Sequence, residues 1–313
     1  MIKNQKAERN KTITLTPEEQ KFYSGSLLNI NQNLTVDELT NKIINNDLFE
    51  ILDFLPDDFI DLLIIDPPYN LYKSFNKTTF KKTSNENYGI WIESFLHKLK
   101  RCMREDASIY FCGDWISSQI IPSVLEKYFI LKNRITWERE KGRGAKRNWK
   151  NCSEDIWFAV NSESYKFNPD SVKLKRKVLA PYRDYNGQPK DWIEESDGSF
   201  RLTFPSNLWT DISVPFWSMP ENTEHPTQKP EKLIAKLILA STDENDLVFD
   251  PFLGSGTTAV VAKKLNRKFS GVELDKHYAL LAQKRLKIAE TETSIQGYKD
   301  GVFWERNTKL KRQ

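Results

Sequence analysis

Long apolar runs are missing from this 313-residue chain. No stretch approaches membrane-spanning length, and the polar start MIKNQKAERNK lacks the form of a secretion signal. Cysteine is scarce: Cys102, Cys112 and Cys152 are an odd set without metal-like spacing, which suits a reducing cytoplasm rather than a disulfide framework. The three histidines, His225 among them, join no zinc pattern, so no metal site is expected. An excess of one charge is also lacking, since 47 basic residues stand against 43 acidic ones for a net +4. That balance permits a nucleic-acid partner without demanding one, and the placement of the basic residues matters more. Hydrophobic residues make up only 39%, yet 12% aromatics argue against global disorder. The expectation is a soluble cytoplasmic protein with one elaborated domain, or a core and a smaller module.

What is present alternates between strand and helix patterns, which predicts an α/β fold on a doubly wound, mostly parallel sheet. Residues 1–34 are polar and read as a poorly packed arm. A first core part spans 35–160. It holds a short strand at Lys42–Ile44, the aliphatic run at Leu62, a mobile loop over Asn70–Gly89, and a helix burying Trp91, Phe95, Leu99 and Cys102. From 161 to 224 prolines, glycines and aromatics scatter without a period, as in an inserted module. Periodicity returns over 225–290 with PEKLIAKLILAST, the strand LVFD, the helix TTAVVAKKL and the strand KFSGVE. The tail 291–313 is polar and basic.

Two turns carry chemistry. In LLIIDPPYN (Leu62–Asn70) a strand buried on both faces runs into an acid, two prolines and an aromatic. The prolines forbid helix and fix the backbone, so a carbonyl beside Asp66 is pre-aimed. As a bare strand terminator the segment would need none of this order. In DPFLGSGTTA (Asp250–Ala259), Gly254, Gly256 and Ala259 meet the G-x-G-x-x-A spacing of nucleotide-binding turns, between a strand and a helix. Glu273, seventeen residues beyond Gly256, stands where an acid accepts from ribose hydroxyls. A plain glycine turn and a nicotinamide dehydrogenase both remain open on this motif, whereas a Walker loop is excluded because no lysine follows. Asp250 would repel a pyrophosphate but pair with a cationic ligand, which favours S-adenosyl-L-methionine. Acids at the carboxyl ends of parallel strands place both turns at one crevice.

The order DPPY, a variable stretch, HPTQKP and then DPFLGSGTT resembles the β-class DNA amino-methyltransferases of restriction–modification systems, over roughly Asn46 to Leu286. The resemblance implies a Rossmann-like methyltransferase sheet with an inserted target-recognition region. Its DPPY form matches the adenine-N6 members; the cytosine-N4 enzymes more often carry serine at the position of Asp66. Adenine's exocyclic nitrogen is a poor nucleophile, and acceptors on its two N–H groups expose the lone pair. Asp66 and the Pro67 carbonyl, braced by Pro68, would supply them, with Tyr69 stacking on an extruded base. No covalent intermediate is needed, so Cys112 is not required as a nucleophile. Donor contacts are expected from Asp250, Pro251, Phe252, Gly254, Ser255, Gly256 and Thr257, with Glu273 on the ribose. By resemblance, Asp47 meets the donor's adenine, while Thr227 and Lys229 of HPTQKP meet its methionine end.

The basic segment KGRGAKRNWK places Arg143, Lys146 and Arg147 beside the crevice as candidate phosphate clamps. KLKRK adds Lys173, Lys175, Arg176 and Lys177, followed by Arg183, in the region where such enzymes keep target recognition. The resemblance implies a short specific DNA site, a homodimer ahead of a monomer, and a cognate restriction endonuclease as a genetic rather than physical partner. The alternatives are cytosine-N4 methylation and a catalytically silent DNA-binding regulator on the same scaffold. An enzyme methylating protein or RNA is a further one.

Overall fold

Every side chain of the strand Ile60–Ile65 is buried in the computed structural model of the chain, as its non-alternating aliphatic run requires. The structure describes residues 9–75, 78–139, 147–178, 182–196 and 198–306. Leu62 and Ile64 join one hydrophobic cluster, together with side chains of the helices Glu231–Ser241 and Thr257–Lys264. Leu63 and Ile65 join a second, with the helix Asn85–Cys102 and Ile121, Val124 and Leu125. Successive strand residues face opposite ways, so this split means helices cover both faces of the sheet.

That sheet has eight strands in the order Lys42–Ile44, Lys268–Val272, Leu247–Asp250, Ile60–Ile65, Met103–Gly113, Ser153–Val160, Ile130–Glu138 and Leu208–Trp209. The first five run parallel. Ser153–Val160 is antiparallel to both neighbours, and the short last strand is parallel to Ile130–Glu138. The doubly wound, mostly parallel expectation therefore holds, with one reversed strand. No helix among the described residues is long and apolar enough to cross a membrane.

The aperiodic region from 161 contributes a second sheet of five strands, in the order Tyr298–Lys299, Val302–Trp304, Leu174–Lys177, Gly198–Thr203 and Ile193–Glu195. Two of these strands come from the polar, basic tail 291–313. Val302–Trp304 runs parallel to Leu174–Lys177, and Phe303 is fully buried. A three-residue strand in a polar tail leaves no period to read.

Within the expected N-terminal arm, residues from Lys11 onward make specific contacts with the rest of the chain. Thr16 and Glu19 form a capping box for the helix Pro17–Ser24, and Glu19 pairs with Lys284 at 2.5 Å. Ile13 bridges Thr223, and the Lys11 amide donates to the Trp217 carbonyl. That helix fully buries no side chain, and its cap and ion pair give no hydrophobic signal. The expected loop over 70–89 includes a short hairpin, Lys73–Phe75 with Thr78–Phe80, and the start of the helix capped by Ser84.

Candidate active site

The strand ending in Asp250 lies beside the strand leading into Asp66, with Val248 opposite Leu62 and Phe249 opposite Leu63. Both acids therefore emerge at the carboxyl edge of adjacent parallel strands. They line one cavity of about 320 Å³ with Asp47, Phe49, Trp91, Thr227, Gly254 and Glu273. The meeting of the two turns across one pocket is thus built by strand register.

Asp250 accepts from the Phe252 amide at 2.9 Å and the Thr258 hydroxyl at 2.6 Å. Burial, against these bonds, pushes its carboxyl up to about 7, and Asp66 adds to the rise. Glu273 accepts from the amides of Gly254 at 2.7 Å and Asp275 at 2.8 Å, and burial lifts it to about 7 as well. Among the described residues neither carboxyl is hydrogen-bonded to a side-chain cation. Asp47 caps the helix Leu48–Ile51 by accepting from the Phe49 amide at 3.0 Å, which aims it at the cavity rim.

The glycine turn divides in role. Gly254 borders the cavity at φ +55°, where a Cβ would stand 3.1 Å from the His225 ring. Gly256, at φ +80°, is not among the cavity-lining residues; a Cβ there would come within 2.5 Å of the Ala282 Cβ. Its small size is required by the packing of the Ala282 helix against the turn. Pro251, Phe252, Ser255 and Thr257 do line the cavity. Buried Arg285 holds the turn from behind, donating to the Ser255 carbonyl, the Thr257 hydroxyl and Glu231, each at 2.9 Å. Nothing in the sequence singled out Arg285, because its partners lie 28 to 54 positions away.

Around Asp66 the structure assembles a charged cluster. The Lys229 ammonium donates to both Asp66 oxygens at 2.7 Å and to the Tyr69 hydroxyl at 3.0 Å, and it lies 3.2 Å from Glu154. Burial alone would lower the lysine; the Asp66 and Glu154 carboxylates override it and hold the ammonium well above its usual range. Tyr69 donates to Asp66 at 2.9 Å and lies 3.1 Å from Glu154, so its hydroxyl is engaged while its ring borders a second, smaller pocket. Arg139 pairs with Glu154. The smaller pocket is lined by Asp66, Pro67, Tyr69, Trp137, Arg139 and Glu154 among others, and it shares Asp66, Thr227, Gln228 and Lys229 with the larger one. Tyr88 donates to the Pro68 carbonyl at 3.0 Å, clamping the proline turn, whereas no described residue donates to the Pro67 carbonyl. Burial, then the nearby Asp66, drives the Cys112 thiol far up, which leaves it a poor nucleophile.

Glu154, Arg139 and Trp137 escaped the sequence reading. Glu154 is an acid inside a strand, and only its burial beside Lys229 marks it. In HPTQKP, Gln228 ties the segment down, accepting from the Thr223 amide and hydroxyl and donating to the Glu221 carbonyl.

The basic residues scatter. Arg143 and Lys146 lie outside the described residues; Arg147 is exposed. Lys173 pairs with Asp170, and Lys175 pairs with Glu195 while packing over the Phe200 and Trp304 rings. Lys175 is thus a strut of the second sheet, only 13% exposed. Arg176 lies 3.5 Å from Glu305, Lys177 is exposed, and Arg183 rests over Trp192. Trp149 and Tyr185 project almost fully into solvent.

Comparison with known proteins gives a consistent picture. A family model described as DNA methylase matches residues 60–284. The chain is 33% identical over 256 residues to the type II methyltransferase M.BglII of Bacillus subtilis, covering 79% of this chain and 69% of that protein. It is 31% identical over 254 residues to the DNA adenine methyltransferase YhdJ of Escherichia coli K12, covering 79% and 83%. Among solved structures, the M1.HpyAVI complex with SAM aligns with a TM-score of 0.51 at 27% identity, over 78% of this chain and 98% of that one. PvuII DNA methyltransferase, a cytosine-N4-specific enzyme, shares the fold at a TM-score of 0.59 and 20% identity, over 78% and 85%.

Proposed function

The chain belongs to the DNA methylase family, and we propose that it transfers a methyl group from S-adenosyl-L-methionine to adenine N6 within a short double-stranded DNA site. In this reading it is the modification component of a restriction–modification system, as the naming of relatives such as the type II methyltransferases M.BglII and M.HpaI suggests. It would act in the cytoplasm, pair as a homodimer, and have a cognate endonuclease as its genetic partner.

The observation that carries the reading is the cavity shared by Asp66 and Asp250. Its residues suit the donor. Two carboxyls, buried Asp250 and half-buried Glu273, are lifted to about 7 and suit a cationic ligand, while Phe49, Trp91 and Phe252 supply apolar wall. When bound, S-adenosyl-L-methionine supplies a methyl group on a positively charged sulfur. Asp47, Asp250, Glu273 and the Gly254–Thr257 turn would hold it, with Thr227 at the border of the two pockets. The smaller pocket then takes the extruded base. Asp66 and the Pro67 carbonyl accept the two amino hydrogens, which localises the nitrogen lone pair, and the Asp66 carboxylate stabilises the positive charge that develops there. Alignment of the two reactants does the rest. Arg147 and Lys177, with Arg143 and Lys146, are the candidate phosphate contacts; Lys173, Lys175, Arg176 and Arg183 rank behind them because each already has an acid within ion-pair distance.

The test is chemical. DNA incubated with the purified chain and donor is digested to nucleosides and weighed; N6-methyladenine is the expected product. N4-methylcytosine would overturn the base assignment, and loss of donor binding altogether would favour the silent regulator.

A further inference from the structure

We propose that Lys229 and Glu154 are positioning residues for Asp66: Lys229 orients its carboxylate at the boundary of the two pockets, and Glu154 is the second counter-ion that keeps Lys229 there. The inference deepens the proposed function and rests on Asp66 accepting an amino hydrogen.

The geometry leaves Lys229 no capacity for a ligand carboxylate. Its ammonium has three protons, and Asp66, the Tyr69 hydroxyl and Glu154 surround it at 2.7, 3.0 and 3.2 Å. The side chain is 8% exposed and that of Glu154 6%, so water does not compete for either. Of the Asp66 oxygens, Oδ1 already accepts from both Lys229 and Tyr69, whereas Oδ2 accepts from Lys229 alone and keeps a further lone pair. Asp66 can therefore accept from a base without releasing the lysine. A carboxylate held at both oxygens cannot rotate freely, which is the preorganisation an amino acceptor needs.

The second carboxylate matters because of charge. Asp66 and Glu154 together balance Lys229 and Arg139, the latter paired with Glu154. The other titratable groups around Asp66 are Asp250 across the cavity, the Cys112 thiol, and the phenols of Tyr69 and Tyr88. Without Glu154, Asp66 would be the lysine's main anion and would be drawn into a tighter pair, a weaker acceptor. Without Lys229, Asp66 and Glu154 would be like charges joined through one phenol, and their repulsion would turn the Asp66 carboxylate out of its orientation.

The experiment compares the full-length wild type with Lys229→Met, Lys229→Arg and Glu154→Gln. Donor affinity is measured by calorimetry, and the single-turnover methylation rate of duplex DNA is measured at saturating donor. For Lys229→Met the donor Kd should stay within about threefold while the rate falls about a hundredfold, in the range of a lost transition-state contact. Glu154→Gln should lower the rate about tenfold at unchanged donor Kd, as loss of an orienting partner does, and Lys229→Arg should recover part of the rate lost in Lys229→Met. If Lys229→Met proves unfolded by near-ultraviolet dichroism, the split between rate and donor affinity in Glu154→Gln carries the test. A tenfold loss of donor affinity in Lys229→Met with an unchanged rate at saturating donor would overturn the inference and assign Lys229 to the donor. A wild type that binds donor but never methylates DNA would instead overturn the function on which it rests.

Discussion

Lys229 reaches 163 positions back along the chain to grip Asp66, its nitrogen 2.7 Å from each carboxylate oxygen. The contact joins the segment HPTQKP to the segment DPPY and closes the gap between the two pockets. A lysine drawn by resemblance to the donor's methionine end is, in the folded protein, engaged with the acid of the proline turn.

Asp66→Ala should lower the methyl-transfer rate by about a hundredfold or more, as removal of an acceptor aimed at developing charge does. Donor affinity should change little, because Asp250 and Glu273 remain. Single-turnover kinetics beside calorimetry separate the two quantities, and full activity in the variant would remove the catalytic role of Asp66.

Donor binding should depend on pH below neutrality. Asp250 and Glu273 are lifted to about 7, so near pH 6 the free protein carries protons there that a cationic donor must displace. Affinity should climb by up to about tenfold per pH unit for each proton released as pH rises from 6 to 7. Asp250→Asn and Glu273→Gln should each flatten the climb. The same shifts weaken the empty protein in that direction: the folded state binds more protons than the unfolded state between about 4 and 7, so stability falls as pH rises through that window.

Gly256→Ala should destabilise the protein by about 2 kcal/mol or more, combining a left-handed backbone with a Cβ driven into Ala282. For a chain of this size that is a fall of several degrees in thermal midpoint. Thermal unfolding followed by circular dichroism measures it, and an unchanged midpoint would mean the helix 276–288 yields freely.

Arg285→Met should cost about 3–5 kcal/mol, since it leaves Glu231 buried with Lys264 as its remaining cation and frees the glycine turn. Adding Glu231→Leu should recover part of that loss. Chemical denaturation of the two variants gives the numbers; equal stability of single and double variants would show that the pair is not coupled.

Neutralising Arg143, Lys146 and Arg147 together should weaken DNA binding and flatten its salt dependence, by a slope of about 0.9 per phosphate contact removed. Titration at several salt concentrations measures that slope, and an unchanged slope would place the DNA backbone elsewhere on the surface.

The local architecture was legible because short-range physics writes it into adjacent residues. An aliphatic run that does not alternate must be a strand covered on both faces, an acid followed by two prolines must end it, and glycines between strand and helix must turn. These patterns sufficed for the sheet, for Asp66 and Asp250 at strand ends, and for the pocket they share. Tertiary structure alone decided the rest. Charged side chains have no period, so nothing in SEDIWFAV distinguishes Glu154, which is buried against Lys229, from its partly exposed neighbour Asp155. The packing of Ala282 over Gly256 leaves no mark in the glycine turn itself, and the polar, basic tail shows no strand pattern until Val302–Trp304 pairs with Leu174–Lys177. In each case the deciding partner is remote in sequence, and its distance is fixed by how the strands are ordered.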